Sequence, residues 1–526
     1  MPRDGGRSQP PRRWRALAGI LSGAGALGAG QLVATLVAPE SSPLVAVGSA
    51  LIDSAPTPVK TFAVRTLGTA DKPVLLAGVA LALVVLAAGL GLIGWRHRRL
   101  ALAGVTALGA VWLVTVLLRG GTPLQLVAPG IAMLVGVAAT AAFTRRRDHP
   151  GTAPVAKVPR TESGPAGSSS GGSAAQLRAP SRRAVLGGAG LAGLAVAGAA
   201  SGSWSTSTRG AGGALPAPRS PAPTVPTGSQ VPGAVPFITA NKDFYRVDIS
   251  LITPQVDPTN WQLRIDGAVE KPVTLSYDEL LAMPMIERTI TMACVSNEVG
   301  GPYVSTARWL GVPFAALVDL VGVRSGVDQC LSHSLDGGYT CSTPYGPLTD
   351  GRDAMVAVGM NGERLPDKNG FPARMVVPGL FGFVSATKWL SRLEFTTYAA
   401  RSAYWTDRDW ATDAPVLTQS RIDSPAGLGS LDPADPVIAG TAWATHRGID
   451  RVEMRIDDGP WQQATLGESA GDDVWRQWRL RYQGPPGRHT AQVRAVDGTG
   501  QVQPEARAPV FPSGATGWHT VRFSVD

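Results

Sequence analysis

A thiol placed where a strand meets a loop is a site candidate in this 526-residue chain, which holds only three cysteines. Cys294 follows the strand-like run 287–293 and opens the glycine-closed loop of TMACVSNEVGG, residues 291–301. A lone cysteine is most often a small buried hydrophobe. As a thiolate it is instead a soft donor suited to a redox-active transition metal. Cys330 and Cys341 flank the Asp336-Gly337-Gly338 turn symmetrically, which leaves a cross-strand disulfide and two buried free thiols equally open. Arg374 and Lys388, read without context, are solvated surface charges.

The histidines limit other redox chemistry. Of six, only His97 and His149 fall in the N-terminal half, both beside the ends of apolar runs. Axial haem ligands inside membrane helices are therefore not expected, and no C-x-x-C-H string attaches a c-type haem. His446, His489 and His519 are scattered singly, a pattern that does not make a metal site.

Short elements must position these groups. Residues 261–267 alternate and end in a turn, which predicts a strand. SYDELLAM, 276–283, opens with a hydroxyl residue and carries Glu three positions on, a capping-box helix start. A second short helix is expected over 312–321, and strands over 330–341, 355–360, 374–377 and 393–397. Mixed short helices and strands predict an α+β domain over 237–412. From 413 to 526 the chain alternates without long apolar runs, at 437–443, 449–456, 475–482, 489–496 and 518–525. Asp457-Asp458-Gly459 and Asp497-Gly498 read as hairpin turns, so an all-β immunoglobulin-like sandwich is expected there. Trp443, Trp461, Trp475 and Trp478 read as its core or interface aromatics.

The first half is of another kind. Hydrophobic residues make up 44% of the chain and charged ones only 17%, a balance that fits a membrane part joined to a globular part. Runs at 16–38, 74–95, 100–118, 124–143 and 184–200 are about long enough to cross a bilayer as helices. The net charge of +9 sits largely in arginine clusters beside those runs, at 12–13, 96–99, 145–147 and 182–183. Such clusters set topology and give no single nucleic-acid-binding face, so nucleic acid is not an expected partner. All four agree with a cytoplasmic N-terminus and with everything beyond about residue 201 lying outside the cytoplasm. The expected order is four transmembrane helices in 1–149, a flexible cytoplasmic linker at 150–183, a fifth helix at 184–200, and a Pro/Gly/Ser-rich tether at 201–236. Ser181-Arg182-Arg183-Ala184-Val185-Leu186 also resembles a twin-arginine signal, placed internally.

CVSNE-x-GG followed by W-x-GVP resembles the molybdenum-cofactor domain of the sulfite oxidase family. SLDGGYT at 334–340, MNGERLPDKNGFPARMVVPG at 360–379 and FGFVSATKWL at 381–390 match the same family. The resemblance runs from 241 to 398. It implies a molybdenum-molybdopterin cofactor with Cys294 as the protein's thiolate to the metal. It further implies Arg374 and Lys388 on the cofactor's phosphate, with Ser385 nearby, and Tyr245, Ser334 and Asn369 as cofactor-binding residues. Asn241 lies one residue out of step with a cofactor asparagine of the methionine-sulfoxide reductase branch. Arg246 is the candidate for a substrate arginine. The chain departs from animal and plant sulfite oxidases at Val299, where they carry arginine, and at Asn369, where they carry tyrosine. Both of those residues serve the anionic substrate in the family, so a sulfoxide-type substrate stands beside sulfite.

The expected function is thus a membrane-anchored, extracytoplasmic oxidoreductase that transfers an oxygen atom on a small sulfur compound such as sulfite. The alternative direction is an S- or N-oxide reductase. A non-catalytic tethered binding protein is the reading of another class, and it leaves Cys294 and the cofactor strings unexplained. An external electron carrier, cytochrome or quinone-linked, is required, and the resemblance leaves open a homodimer through the C-terminal domain.

Overall fold

The computed structural model describes residues 11–37, 41–56, 59, 71–118, 123–144, 214–251, 253–336 and 338–525. The chain divides into two compact units, Met1–Gly210 and Ala211–Asp526. The fifth apolar run, the twin-arginine-like stretch and the linker at 150–183 lie outside the described residues.

The first unit is helical: α1 (Arg12–Val37), α2 (Pro43–Ser54), α3 (Asp71–Gly94), α4 (Arg98–Leu118) and α5 (Val127–Thr144). Four of its helical segments, Arg12–Val37, Val74–Gly94, Arg98–Leu117 and Pro123–Thr144, are long and apolar enough to cross a membrane, which supports a multi-pass membrane protein. The 12-residue α2, absent from the sequence expectation, is too short to do so. α1 is central because its small residues admit close neighbours: Ser22, Gly25, Gly28, Ala29, Gly30 and Ala34 are buried. Where α1 meets α3, a side chain at Gly19 or Gly91 would run into the other helix's backbone. α3 instead shows Leu81 and Val85 on its outer face, as a lipid-facing helix would. Trp112 of α4 donates its indole N–H to the Ser41 carbonyl at 3.1 Å, which satisfies a buried polar group.

The second unit begins with strands β1 (Gln262–Gly267) and β2 (Val273–Ser276), helix α6 (Tyr277–Ala282), and strands β3 (Ile286–Ala293) and β4 (Val304–Pro313). Helix α7 (Phe314–Val321) follows, then β5 (Gln329–Ser334), β6 (Thr340–Pro344), β7 (Met355–Met360), β8 (Glu363–Arg364), β9 (Arg374–Val376) and β10 (Leu390–Thr396). The expected capping box is present, with Ser276 Oγ accepting from Glu279 N and the Glu279 carboxylate accepting from Ser276 N at 2.8 Å. One sheet runs β2-β1-β10-β5-β6 and the other β3-β4-β7-β8, with β9 paired to β7. This is the α+β architecture expected from the sequence. Its core gathers Leu263, Ile265, Phe314, Val356, Met375 and Phe395, all nearly or fully buried.

The rest is β-rich: β11 (Gln419–Ser424), β12 (Ser430–Leu431), β13 (Val437–Trp443), β14 (Ile449–Ile456), β15 (Gln462–Gln463), β16 (Thr465–Leu466), β17 (Arg476–Arg481), β18 (Gly487–Asp497) and β19 (His519–Val525). They form one sheet of order β11-β13-β17-β16 and another of order β12-β19-β18-β14-β15. Ile438 and Trp478 of the first and Val452, Val493 and Phe523 of the second share one hydrophobic cluster.

The expectation of a free tether as far as residue 236 is corrected for its last part. Residues 214–236 lie along the second unit: Arg219 N donates to Met285 O at 2.8 Å, Ser229 Oγ to Glu468 O at 2.9 Å, and Val231 N to Gln477 Oε1 at 2.7 Å. A proline-rich strand has few N–H groups to satisfy and little entropy to lose, so a handful of such bonds suffices to dock it.

Candidate active site

β3 carries Cys294 out of its sheet into a closed loop. Cys294 N donates to Tyr303 O at 2.9 Å, and Tyr303 N donates to Asn297 Oδ1 at 2.8 Å. Asn297 N donates back to Cys294 O at 3.0 Å. These bonds tie both ends of the loop, so the thiol stands on a fixed backbone. Cys294 Sγ lies 2.9 Å from Ser296 Oγ, and the residue is buried. Burial pushes its thiol pKa up, while Ser296 and the nearby Lys388 charge pull it down. Cys330 and Cys341 are free and fully buried. Cys330 stands opposite Thr343, and Cys341 opposite Ser332, so the ladder does not make them a facing pair.

Arg374, on β9, is buried and, among the described residues, bonds only to main-chain carbonyls, to Asn369 O at 3.0 Å, Ala386 O at 3.4 Å and Met375 O at 3.4 Å. Its guanidinium sits 5.0 Å from the centre of the Trp309 ring. Among the described residues no carboxylate pairs with it, and burial lowers its pKa to about 10. Lys388 Nζ lies 2.5 Å from Asp248 Oδ2, and Arg246 Nε 2.8 Å from the same oxygen. Burial brings Lys388 down to about 8, against the opposing pull of Asp248. Tyr245 is raised well above the usual phenol range, first by burial and then by Cys294, with Arg374 opposing. Tyr245 is within electrostatic reach of Cys294 and Arg374, and Lys388 within reach of Cys294, Arg374 and Arg246, which links the five in one neighbourhood.

The remaining candidates join it less directly. Asn369 is buried, lends its carbonyl to Arg374, and its side-chain Oδ1 has no hydrogen-bond partner among the described residues. Ser334 Oγ, at the end of β5, accepts from Asp336 N at 3.2 Å. Asp336 feels Asp248 and Lys388, and burial raises its pKa. Ser385 is fully buried with its hydroxyl turned to the carbonyls of Phe381 and Leu380, at 3.0 and 3.3 Å. Asn241 is engaged with Met360 O, Glu363 and Asn361.

Three groups at this site were not singled out from the sequence. Asp248 bridges Lys388 and Arg246, Ser296 holds the Cys294 thiol, and the half-buried Tyr339 is close enough to feel Cys294. Tyr339 lies within the SLDGGYT string and so had a signal in plain view, whereas Asp248 had none, its partner Lys388 being 140 residues away. Among the described residues no group of three His, Cys, Asp or Glu side chains is placed to hold an ion. A metal at Cys294 would thus take most of its donors from elsewhere. The arrangement offers one soft thiol, a buried uncompensated guanidinium, and a lysine whose partner is a single shared carboxylate.

A family described as oxidoreductase molybdopterin binding domain matches residues 250–405. Sulfite oxidase of Gallus gallus is 30% identical over 335 residues, covering 54% of this chain and 72% of that protein. Mitochondrial sulfite oxidase of Homo sapiens is 31% identical over 346 residues, covering 55% and 62%. The chain spans 62% of the length of the mammalian relatives it matches. Among solved structures, the sulfane dehydrogenase SoxCD from Paracoccus pantotrophus is similar at 26% identity, with a TM-score of 0.48, over 55% of this chain and 81% of that one.

Proposed function

The chain belongs to the sulfite oxidase family and carries its molybdopterin-binding oxidoreductase domain, and from that membership we propose a membrane-anchored, extracytoplasmic enzyme that transfers an oxygen atom on a small sulfur compound such as sulfite. The observation that carries the reading is that Tyr245 lies within electrostatic reach both of the buried Cys294 thiol and of Arg374, a buried cation that has no acidic partner among the described residues. A buried unpaired guanidinium is costly unless an anion reaches it, and an anionic cofactor tail is such a group. The unpartnered Oδ1 of Asn369 adds an acceptor for a cofactor N–H. The donor set therefore fits a molybdenum-molybdopterin cofactor.

When bound, that cofactor supplies the two-electron redox centre and the transferable oxygen. The chain's residues then have separate tasks. Cys294 would hold the metal as a thiolate, without its proton; burial opposes that charge, and Ser296 and Lys388 favour it. Arg374 and Lys388 hold the anionic tail, with Tyr245, Ser334, Asn369 and Ser385 as the further cofactor contacts. Arg246 orients the substrate. In the oxidising direction water provides the added oxygen atom, and two electrons and two protons leave, the electrons to an external cytochrome or quinone-linked carrier.

A second direction, reduction of an S- or N-oxide, has its own support. Asp248 meets both Arg246 and Lys388 through one oxygen and offsets one of their two charges, and Val299 and Asn369 stand where sulfite oxidases carry arginine and tyrosine. A pocket with less net positive charge suits an uncharged sulfoxide better than a sulfite dianion. We read residues 237–412 as the catalytic domain and 413–526 as an immunoglobulin-like sandwich, the surface for a homodimer.

The deciding experiment measures molybdenum content and turnover of wild type and Cys294→Ser, made in a cofactor-competent host. Molybdenum near one per chain is expected, with turnover lost in the variant. Sulfite-dependent reduction of an acceptor gives the oxidising direction, and sulfoxide-dependent oxidation of a reduced dye the other. Absence of molybdenum from the wild type sinks the enzyme and leaves a tethered binding protein.

A further inference from the structure

The far side of the Cys294 loop is gripped by the C-terminal β-rich region. Gly300 has φ +80°, and the face where a Cβ would project is occupied by the imidazole of His519, the first residue of β19. The next carbonyl, Gly301 O, accepts from Arg421 Nη1 of β11 at 2.9 Å, a contact across 120 residues of sequence. Neither gripping side chain is loose. His519 Nδ1 accepts from Ile422 N at 3.0 Å, so its proton sits on Nε2. Arg421 Nε lies 2.6 Å from Asp423 Oδ1, with both side chains nearly buried. The strand leading to Cys294 is held from the same region: Thr291 N donates to Asp473 O at 2.9 Å, and Trp475 N to Thr291 Oγ1 at 2.8 Å.

We propose that His519 and Arg421 are positioning residues for Cys294, so that the C-terminal β-rich region sets the conformation of the loop that presents the thiol. The loop's own bonds, at Cys294, Asn297 and Tyr303, close it at the β3 and β4 end. Its tip, at Gly300 and Gly301, bonds back to the loop only through Gly301 N and Glu298 O at 2.8 Å. The imidazole fills the space into which Gly300 would move, and the guanidinium fixes the direction of the Gly301 carbonyl. A glycine pair permits this close approach, and it is also the loop's most pliable part without the clamp. The consequence for catalysis rests on Cys294 being the metal ligand, whereas the clamp itself rests on geometry alone.

The test follows the thiol and not turnover. Full-length protein is purified in detergent from a host unable to make molybdopterin, and alkylation of Cys294 by iodoacetamide is timed by mass spectrometry. The fully buried Cys330 and Cys341 serve as internal controls. His519→Ala and Arg421→Ala are expected to raise the Cys294 rate about tenfold by local opening, with the control cysteines unchanged. His519→Asn keeps an acceptor for Ile422 N but removes the ring from Gly300, and is expected to behave like His519→Ala. Val452→Ala, in the C-terminal core on β14 and not paired with His519, supplies a comparable loss of melting temperature without touching the loop or its clamp. An unchanged Cys294 rate, or an equal rise in Val452→Ala, overturns the proposal. Rescue by His519→Asn also overturns it in favour of the Ile422 bond alone. Molybdenum in wild type from a competent host is scored separately, so failure of the cofactor reading leaves the thiol result standing.

Discussion

Burying a guanidinium without a carboxylate has a cost that the fold must offset or a ligand must relieve. At Arg374 the fold offers three carbonyls and the face of Trp309, which satisfy hydrogens but leave the charge. Arg374→Met removes the charge and those bonds together. Replacing a buried charge by an apolar side chain of similar volume is often stabilising by about 1–4 kcal/mol, which offsets most of the cost of three lost bonds at about 1 kcal/mol each. The cofactor-free variant is therefore expected to melt within a few degrees of wild type, a shift of ~1 kcal/mol. Made in a competent host, it is expected to lose about tenfold or more in bound cofactor, since a charge-assisted pair is forfeited. Normal cofactor content in Arg374→Met would show that this arginine is only part of the core. Asp248 illustrates why the same neighbourhood was half hidden in the sequence. Its partner Lys388 lies 140 residues on, and nothing local distinguishes it from a solvated carboxylate.

Elements were legible where their periodicity was local. The apolar run at 355–360 and the alternation at 437–443 and 449–456 match β7, β13 and β14 end to end, and β7 is apolar throughout because its two faces are buried in two different clusters. β11 escaped because its sequence, QSRIDS, is polar although most of it is buried. Its side chains are satisfied at a distance, Gln419 at Ala515 O and Ser420 at Gln503. β19 was expected as a strand, but that its first side chain, His519, reaches the Cys294 loop depends on how two distant elements pack. That packing carries a pH signature. Burial, with Arg421 and Arg507, lowers His519 to about 4 from the ordinary 6.5. The folded state therefore binds fewer protons than the unfolded state between those values, and stability rises with pH across that window. The contribution, about 3 kcal/mol, is full above pH 6.5 and is lost as pH falls to 4. Unfolding followed by tryptophan fluorescence should show this loss in wild type and a flatter profile in His519→Asn. Equal slopes in the two proteins would assign the acid sensitivity elsewhere.

At the scale of the whole molecule, the helical unit and the unit that holds Cys294 pose a problem of sidedness. In the topology we propose, four crossings bring the chain back to the side of its N-terminus, with the arginines at 12–13, 96–99 and 145–147 on the cytoplasmic side. A catalytic unit outside requires one more crossing, and the run at 184–200 after Arg182-Arg183 is the segment able to make it. A pathway that exports folded proteins suits a domain that must acquire its cofactor first, and Ser181-Arg182-Arg183-Ala184-Val185-Leu186 resembles its signal. Positive charge alone would keep topology correct with lysines at both positions, whereas a twin-arginine receptor distinguishes lysine from arginine. The double substitution Arg182→Lys with Arg183→Lys separates these roles. A reporter fused after Arg147 is expected on the cytoplasmic side in both proteins. The unit beginning at Ala211 is expected to be open to external protease in wild-type spheroplasts and protected in the double variant. Protection in wild type would place the catalytic unit inside and reverse the topology. Equal exposure in both would keep the topology and show that the paired arginines act only as charge.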